Sequence, residues 1–438
     1  MTKRMVWAAV AAVAAAQGAF AAGEPSEGVP GTSIEDRFTA LEGKFDAMNE
    51  PFLEALSTVN SLKRIKLTGY IQARYEYHWD SKDATAAAPT TNTDSFYIRR
   101  GRLKATYDGD WMEYVLQIDA IGSGVGGGIS GQVPGSGGAV GGVQLKNAEA
   151  TYKPEFVGLP MGPLSLAFTV GQFDVPFGHE IMYSSSKREM PERSMAESAL
   201  FSGERDRGAR LMARWWIVRA MGGVLNGNGI SSSTEPDLIN GRDRKRRKDF
   251  SGRIGVDLGR LPGGISVSGG ISRYAGFWRV IPATTATPTP QQWFGKSRKG
   301  ADVQLYLDMP YIGGMQIRGE VYEGETALGS GGKGVNTRSQ GGYVIVSQNI
   351  LTYGAVFYRF DRYDPNTDQA ASSVNISRDA TRTHGGGVQI FLTPNLRFSA
   401  TMEDPHLMDP VVDETAPGWA AAHEVNKRFW VFQMQAMF

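Results

Sequence analysis

The sequence predicts an all-β chain, a sixteen-stranded antiparallel transmembrane β-barrel preceded by a short helical, coiled-coil-like segment. Three observations carry this. The chain opens on an export signal, its hydrophobicity alternates with a period of two from about residue 63 onward, and short turns alternate with long polar loops over that stretch. Alternation gives a strand one apolar and one polar face. A soluble sandwich shares the pattern. Sixteen strands, however, exceed what one twisted open sheet holds, and Tyr or Trp tips many apolar faces, as membrane-interface girdles require.

At the start, Lys3 and Arg4 precede an apolar stretch from Met5 to Ala16, and Ala19-Phe20-Ala21 offers a cleavage site. Residues 1–21 therefore read as a secretory signal peptide, and the apolar run is short for an anchoring helix. Without Lys3 and Arg4, 44 basic residues face 45 acidic ones, a balance that names no strongly charged partner such as nucleic acid. The absence of cysteine excludes a disulfide framework and a thiolate metal site.

Residues 22–62 hold a linker, "GEPSEGVPG", and a periplasmic helical segment. Thr32 and Glu35 can form a capping box. Ile34, Phe38, Leu41, Phe45 and Met48 follow at coiled-coil spacing. Two readings stand: an amphipathic helix packed on its own domain, or a short oligomerising stalk.

The barrel is expected over 63–438. In "IKLTGYIQARYEYHW", Ile65, Leu67, Ile71, Tyr75, Tyr77 and Trp79 share one parity, and Lys66, Thr68, Gln72, Arg74 and Glu76 the other. Similar segments recur about sixteen times. Roughly 375 residues then leave about 23 for each strand plus connection, compatible with ~10-residue tilted spans. Short turns fall near 108, 260, 310 and 392. Long loops fall near 81–94, 123–142, 177–206, 227–248, 277–299, 327–338, 367–381 and 408–424. The final segment, "FWVFQMQAMF", places Trp430, Phe432, Met434, Ala436 and Phe438 on one face, so Phe438 is expected to close the barrel facing lipid.

A barrel of this size encloses water, so function lies in what lines and narrows it. In "SFYIRRGRLKATY", Arg100, Arg102 and Lys104 share one parity, opposite Tyr97, Leu103 and Tyr107. Such a row is either an anion path, since guanidinium groups fork onto oxyanions, or a solvated wall with partners such as Glu113, Asp119 or Glu149. By parity the lumen is mixed: Lys146, Arg210, Arg214, Arg253, Arg318, Arg359 and Arg397 against Asp257, Asp302, Asp308, Glu320, Asp361 and Glu403. The third long loop joins Ser184, Ser185, Ser186, Lys187, Arg188, Arg193, Arg205 and Arg207, hydroxyls beside cations in a segment long enough to narrow a wide lumen near 177–206.

On "LTGYIQARYEY", "FYIRRGRLK", "GQFDVPFGHE", "SSSKREMPERS", "ERDRGA", "VLNGNG" and "RKDFSGR", the chain resembles the phosphate-selective porin O and P family of Gram-negative outer-membrane channels, from about Lys66 to Phe438. The resemblance implies a homotrimer of sixteen-stranded barrels in which basic residues guide anions to a narrow zone in the third loop. Arg99 and Arg100 match the family's arginine pair, and Ser185, Ser186 and Lys187 its serine–lysine segment. Two positions depart from the pattern: Tyr70 stands where the family has arginine, and Ile181 where it has lysine. Arg99 has lipid-facing parity, which a bulge, a subunit contact or the headgroup region could accommodate.

The expectation is a passive, water-filled outer-membrane porin for small anionic or hydrophilic solutes, needing no cofactor. Lys187, Arg188 and Arg205 would form the loop gate, with Arg207 and Arg210 beside it, and Arg100, Arg102 and Lys104 would guide anions. "GRDRKRRKD" on the fourth loop reads as an external rim attracting anions or lipopolysaccharide phosphates, or as a solvated loop. "GSGVGG" lacks the following helix of a dinucleotide site, and the five histidines lack metal-ligand spacing. A barrel lipase using His179 with Ser184–Ser186 is the enzyme alternative. A tether working through the N-terminal helix is another.

Overall fold

The computed structural model describes residues 43, 51, 58–59, 62–78, 95–120, 143–154, 158–159, 162–201, 205–227, 229–230, 238–239, 242–243, 247–280, 292–330, 333–367, 380–408 and 428–438. The chain divides into units 1–63 and 64–438. Residues 1–21 and the seam residues Ile34, Phe38, Leu41, Phe45 and Met48 lie outside the described residues, so the export-signal and coiled-coil expectations rest on sequence.

The second unit is a closed antiparallel barrel of sixteen strands. In chain order they are β1 (Ile65–His78), β2 (Ser95–Asp108), β3 (Met112–Asp119), β4 (Gln144–Tyr152), β5 (Ser165–Asp174), β6 (Arg205–Trp215), β7 (Val218–Leu225), β8 (Asp249–Leu261), β9 (Ile265–Val280), β10 (Gln292–Met309), β11 (Gly313–Ser330), β12 (Lys333–Ile350), β13 (Gly354–Asp364), β14 (Thr381–Thr393), β15 (Leu396–Leu407) and β16 (Phe429–Met437). Each strand pairs with its sequence neighbours, and β1 pairs with β16 to close the cylinder. Closure removes the unpaired edges that hydrocarbon would penalise.

The alternation does what the sequence suggests. On β1, Ile65, Leu67 and Ile71 are exposed while Tyr70, Gln72 and Arg74 are buried. Here exposed means facing lipid, and buried means facing the barrel interior. Trp111, Tyr114, Tyr152, Trp215, Trp216, Tyr311 and Tyr353 project outward at or beside the short turns, an aromatic girdle at that end. Phe438 closes the seam as expected. Its N–H and C=O exchange two 3.0 Å bonds with Gly69, and its ring covers that glycine, where an added Cβ would meet it at 2.4 Å.

Three expectations need correction. Residues 327–338 are not a long loop: β11 and β12 run on until Ser330 pairs Lys333. Residues 277–280 and 292–299, expected within a loop, are strand, because β9 and β10 pair out to Val280 and Gln292. Glycine and polar residues at these positions disguise strands that extend past the apolar span. Tyr97 is the third: it shares the inner side with Arg74, donating to Glu76, rather than lying opposite the arginine row.

Candidate functional site: a loop folded into the lumen

The register of β1 against β2 explains Tyr97. Gln72 pairs Arg100, but the next residue, Ala73, pairs Ile98, leaving Arg99 as the extra residue of a bulge. The bulge reverses the facing of β2 beyond it and turns Arg99 inward beside Arg100. Of the placements left open for Arg99, the bulge is the one found.

The segment between β5 and β6 crosses the barrel interior. Phe177 and Ile181 are fully buried, and with Met190, Leu200 and Phe201 they pack on Tyr274, Tyr322, Tyr343, Ile345 and Phe357 of the wall. This apolar contact inside a polar lumen holds the loop in place by removing its side chains from water. The loop ends in helix α1 (Met195–Leu200), capped by Ser194, whose side chain accepts from Glu197 N–H.

Polar contacts fix the loop in register. Glu320 of β11 accepts from the backbone N–H groups of His179 and Glu180, at 3.2 and 3.0 Å. Gly178 makes this approach possible: its φ is +59, and a Cβ there would meet Glu320 Oε1 at 1.7 Å. Ser194 donates to Glu180 at 2.5 Å, and Met195 N–H donates to Asp361 at 2.8 Å. Gln389 and Arg397 donate to the Arg188 carbonyl, and Gln435 to that of Ser186. Arg318 donates to Glu189.

At the centre stands Glu192. Its carboxylate accepts from Arg74 at 2.7 Å, Arg99 at 2.8 Å and Arg100 at 3.0 Å. Arg359 donates to its carbonyl at 2.7 Å. Burial alone would raise the Glu192 pKa, but the charges of Arg100, Arg74, Arg99 and Arg188 hold it well below the usual carboxylate range. Its side chain remains 40% exposed, so the cluster borders open lumen.

The candidate residues divide into three groups. Arg99 and Arg100 meet on Glu192, as above. Arg102 pairs with Asp119 at 3.0 Å and donates to Ser185 Oγ at 2.9 Å. Ser185 is buried and also bonds the Tyr70 hydroxyl at 2.6 Å, so it braces the loop against the wall. The second group lies on β6: Arg205 bonds Asn147 and Asp174, Arg207 bonds Gln172, and Arg210 pairs with Glu149 and stacks on Phe173. Lys187 and Arg188 sit on the loop with other partners, Lys187 exposed and Arg188 buried. The structure thus does not gather Lys187, Arg188 and Arg205 into one group. Ser186 bonds Ser184 at 2.9 Å. Lys104 points inward, and among the described residues neither it nor Lys187 has a carboxylate within ion-pair distance.

The two departures from the family pattern have structural roles. Tyr70 is buried against Ser185, and Ile181 is 1% exposed in the loop core, its carbonyl accepting from Arg193. Asp119 and Glu149, named as possible partners of the cationic row, are partners of Arg102 and Arg210, whereas Glu113 pairs with Lys153. For the lipase alternative, His179 shows among the described residues no hydrogen bond from its ring to Ser184, Ser185 or Ser186. Burial, then the charge of Arg318, pushes that imidazole down to about 4. Sequence reasoning missed Glu192, although an acid inside a serine- and arginine-rich loop is a signal in itself.

Residues 71–251 match the family model of the phosphate-selective porins O and P. No curated protein matches the chain. Among solved structures, OprB of Pseudomonas putida at high pH is similar with a TM-score of 0.55 and 10% identity, over 87% of this chain and 96% of that one. The outer-membrane channel DcaP of Acinetobacter baumannii gives 0.53 and 12%, over 85% and 97%. An anion-selective porin from Comamonas acidovorans gives 0.50 and 11%, over 85% and 99%. At such identities these likenesses show the fold. Fold and family match together support an outer-membrane porin barrel, with residues 71–251 matching the model of the phosphate-selective porins O and P.

Proposed function

We propose that the barrel is a passive, water-filled pore for small hydrophilic solutes with a preference for anions of the phosphate type, assembled as a homotrimer. The observation that carries the preference is the convergence of Arg74, Arg99 and Arg100 on Glu192, with Glu76 a second carboxylate 3.8 Å from Arg74, which leaves three cations facing two acids at the loop. Lys104 and Lys187 add cations. An aqueous lumen is where fixed charge sorts ions by sign, and the solute needs no chemistry from the wall. In this reading Arg100, Arg102 and Lys104 belong to the cationic wall, and Lys187 is the loop's exposed point charge. Arg205 and Arg210 share their charges with Asp174 and Glu149, and Arg188 and Arg207 help to shape the path.

A weakly selective general porin is the second reading. It is favoured by the pairing of most lumenal cations, as in Arg102–Asp119, Arg253–Asp302, Arg210–Glu149, Lys296–Asp249 and Arg359–Glu403. Single-channel reversal potentials in a KCl gradient, repeated with phosphate, separate the two. Anion selectivity with phosphate block supports the first; near-equal permeability without block supports the second. Cross-linking in mild detergent tests the trimer, and a monomer alone would refute it.

A further inference from the structure

We propose that the outer wall of the barrel holds two sites for a phosphorylated outer-leaflet lipid, each an apolar groove flanked by a cross-strand pair of cations. This rests on the outer-membrane barrel and is independent of which solute crosses it.

The first groove, of about 650 Å³, is lined by Ala220, Gly252, Ile254, Ile271, Arg273 and Lys299. One register row explains its shape: Gly222, Gly252, Arg273 and Lys299 lie side by side on β7 to β10. The two glycines leave the sheet bare, the row toward the short turns supplies Ala220, Ile254 and Ile271, and the cations close one side. The second groove, of about 400 Å³, is lined by Val321, Gly342, Val344, Phe360 and Arg362. Its row repeats the plan, with Gly342, Arg362 and Arg382 adjacent on β12 to β14.

Directly opposed like charges destabilise a sheet, so Arg273 beside Lys299 and Arg362 beside Arg382 call for an anion between them. Among the described residues Arg273, Arg362 and Arg382 have no carboxylate in ion-pair distance, and Lys299 has only the exposed Glu323 at 3.8 Å. Depth points the same way. Arg273 stands eight residues from Ile265 at the turn end of β9, about 27 Å along the strand. With a tilt near 40°, that is about 21 Å of height, close to the top of a ~25 Å apolar band. Cations there meet headgroup phosphates, while the grooves below accept acyl chains. A free phosphate would use the cations and leave the grooves unexplained.

The test is native mass spectrometry of the full-length exported protein in detergent, titrated with hexa-acylated lipid A carrying two phosphates and with the same lipid dephosphorylated. Wild type should bind two of the phosphorylated lipid, and the dephosphorylated lipid at least tenfold more weakly. Arg273→Gln/Lys299→Gln should lose one lipid and Arg362→Gln/Arg382→Gln the other. Gly222→Leu adds a side chain on the strand beside Gly252, at the edge of the first groove, and spares its cations. A Cβ at that position meets nothing closer than 3.9 Å, so this variant should fold and still lose the first lipid. Unchanged lipid counts would overturn the proposal. So would equal binding of the dephosphorylated lipid, or variants that lose oligomer instead of lipid, which would assign the grooves to a second copy. Bilayer conductance should stay at the wild-type level throughout; a wild type that binds lipid without conducting would refute the pore and leave this proposal intact.

Discussion

Glu192→Gln is the sharpest test of the lumenal charge. The substitution keeps the shape and removes the one carboxylate shared by Arg74, Arg99 and Arg100 at 2.7, 2.8 and 3.0 Å. Two effects follow, and their sizes differ. Electrostatically, one more uncompensated positive charge about 5 Å from a passing ion is worth roughly 0.8 kcal/mol at the dielectric of water. Screening over a Debye length of about 10 Å at 0.1 M salt reduces that to roughly 0.5 kcal/mol. An anion gains that amount and a cation loses it, so the anion-to-cation permeability ratio should rise about fivefold. Mechanically, a fully buried carboxylate removed from such a cluster would cost ~3–5 kcal/mol, and the partial exposure of Glu192 lowers that toward ~1–2 kcal/mol. The loop has Glu320, Asp361, Gln389 and Arg397 as further anchors, so it should stay in the lumen. The assay is the reversal potential in a tenfold KCl gradient with single-channel conductance recorded alongside. A reversal potential that does not move, or moves toward cations at unchanged conductance, refutes the assignment of Glu192 to the ion path.

The depressed pKa of Glu192 sets a pH window. A group whose folded pKa lies below its unfolded value of about 4.3 contributes stability that is present above that value and lost as pH falls through the folded one. Selectivity should therefore hold from pH 7 to 5 and shift toward anions only in stronger acid; a midpoint above 5 would contradict the arginine cluster. Gly178→Ala forces a Cβ into Glu320 at a left-handed backbone, a cost of at least ~1–3 kcal/mol, and should release the loop, seen as larger conductance and new proteolytic sites near residue 178. Arg102→Gln withdraws a guanidinium from Asp119, whose side chain is 2% exposed, and should lower stability by ~3 kcal/mol or more as well as alter selectivity, read as a drop in the temperature at which the folded band is lost in unheated gel samples. Phe438→Ala removes the ring over Gly69, costing about 1 kcal/mol, and should reduce the yield of folded barrel with pore properties unchanged.

Much of the architecture was legible in the chain because a strand's two faces are read directly from a period of two. Ile65, Leu67 and Ile71 against Gln72 and Arg74, and Met434 against Gln433 and Gln435, needed no tertiary information. Alternation misleads where a strand is irregular or lacks apolar residues. One unpaired residue at Arg99 reverses the parity of everything beyond it, so Tyr97 was assigned to the wrong side. Strands of glycine and polar residues, as at 327–338, escape a search for apolar alternation. Charge posed a different problem. Arg100, Arg102 and Arg205 were visible as cations, but whether each is free depends on partners such as Glu192, Asp119 and Asp174.

By itself, then, the sequence determined a sixteen-stranded barrel with an apolar outside, a charged inside and a long third loop, because alternation, turn spacing and composition are local properties. Only the tertiary structure decided that this loop lies within the lumen, that Glu192 gathers Arg74, Arg99 and Arg100 from 118, 93 and 92 residues away, and that Tyr70 and Ser185 brace loop against wall. Those pairings are set by closure of the cylinder, which brings distant strands to opposite sides of one narrow space. No local pattern records which side chains meet there.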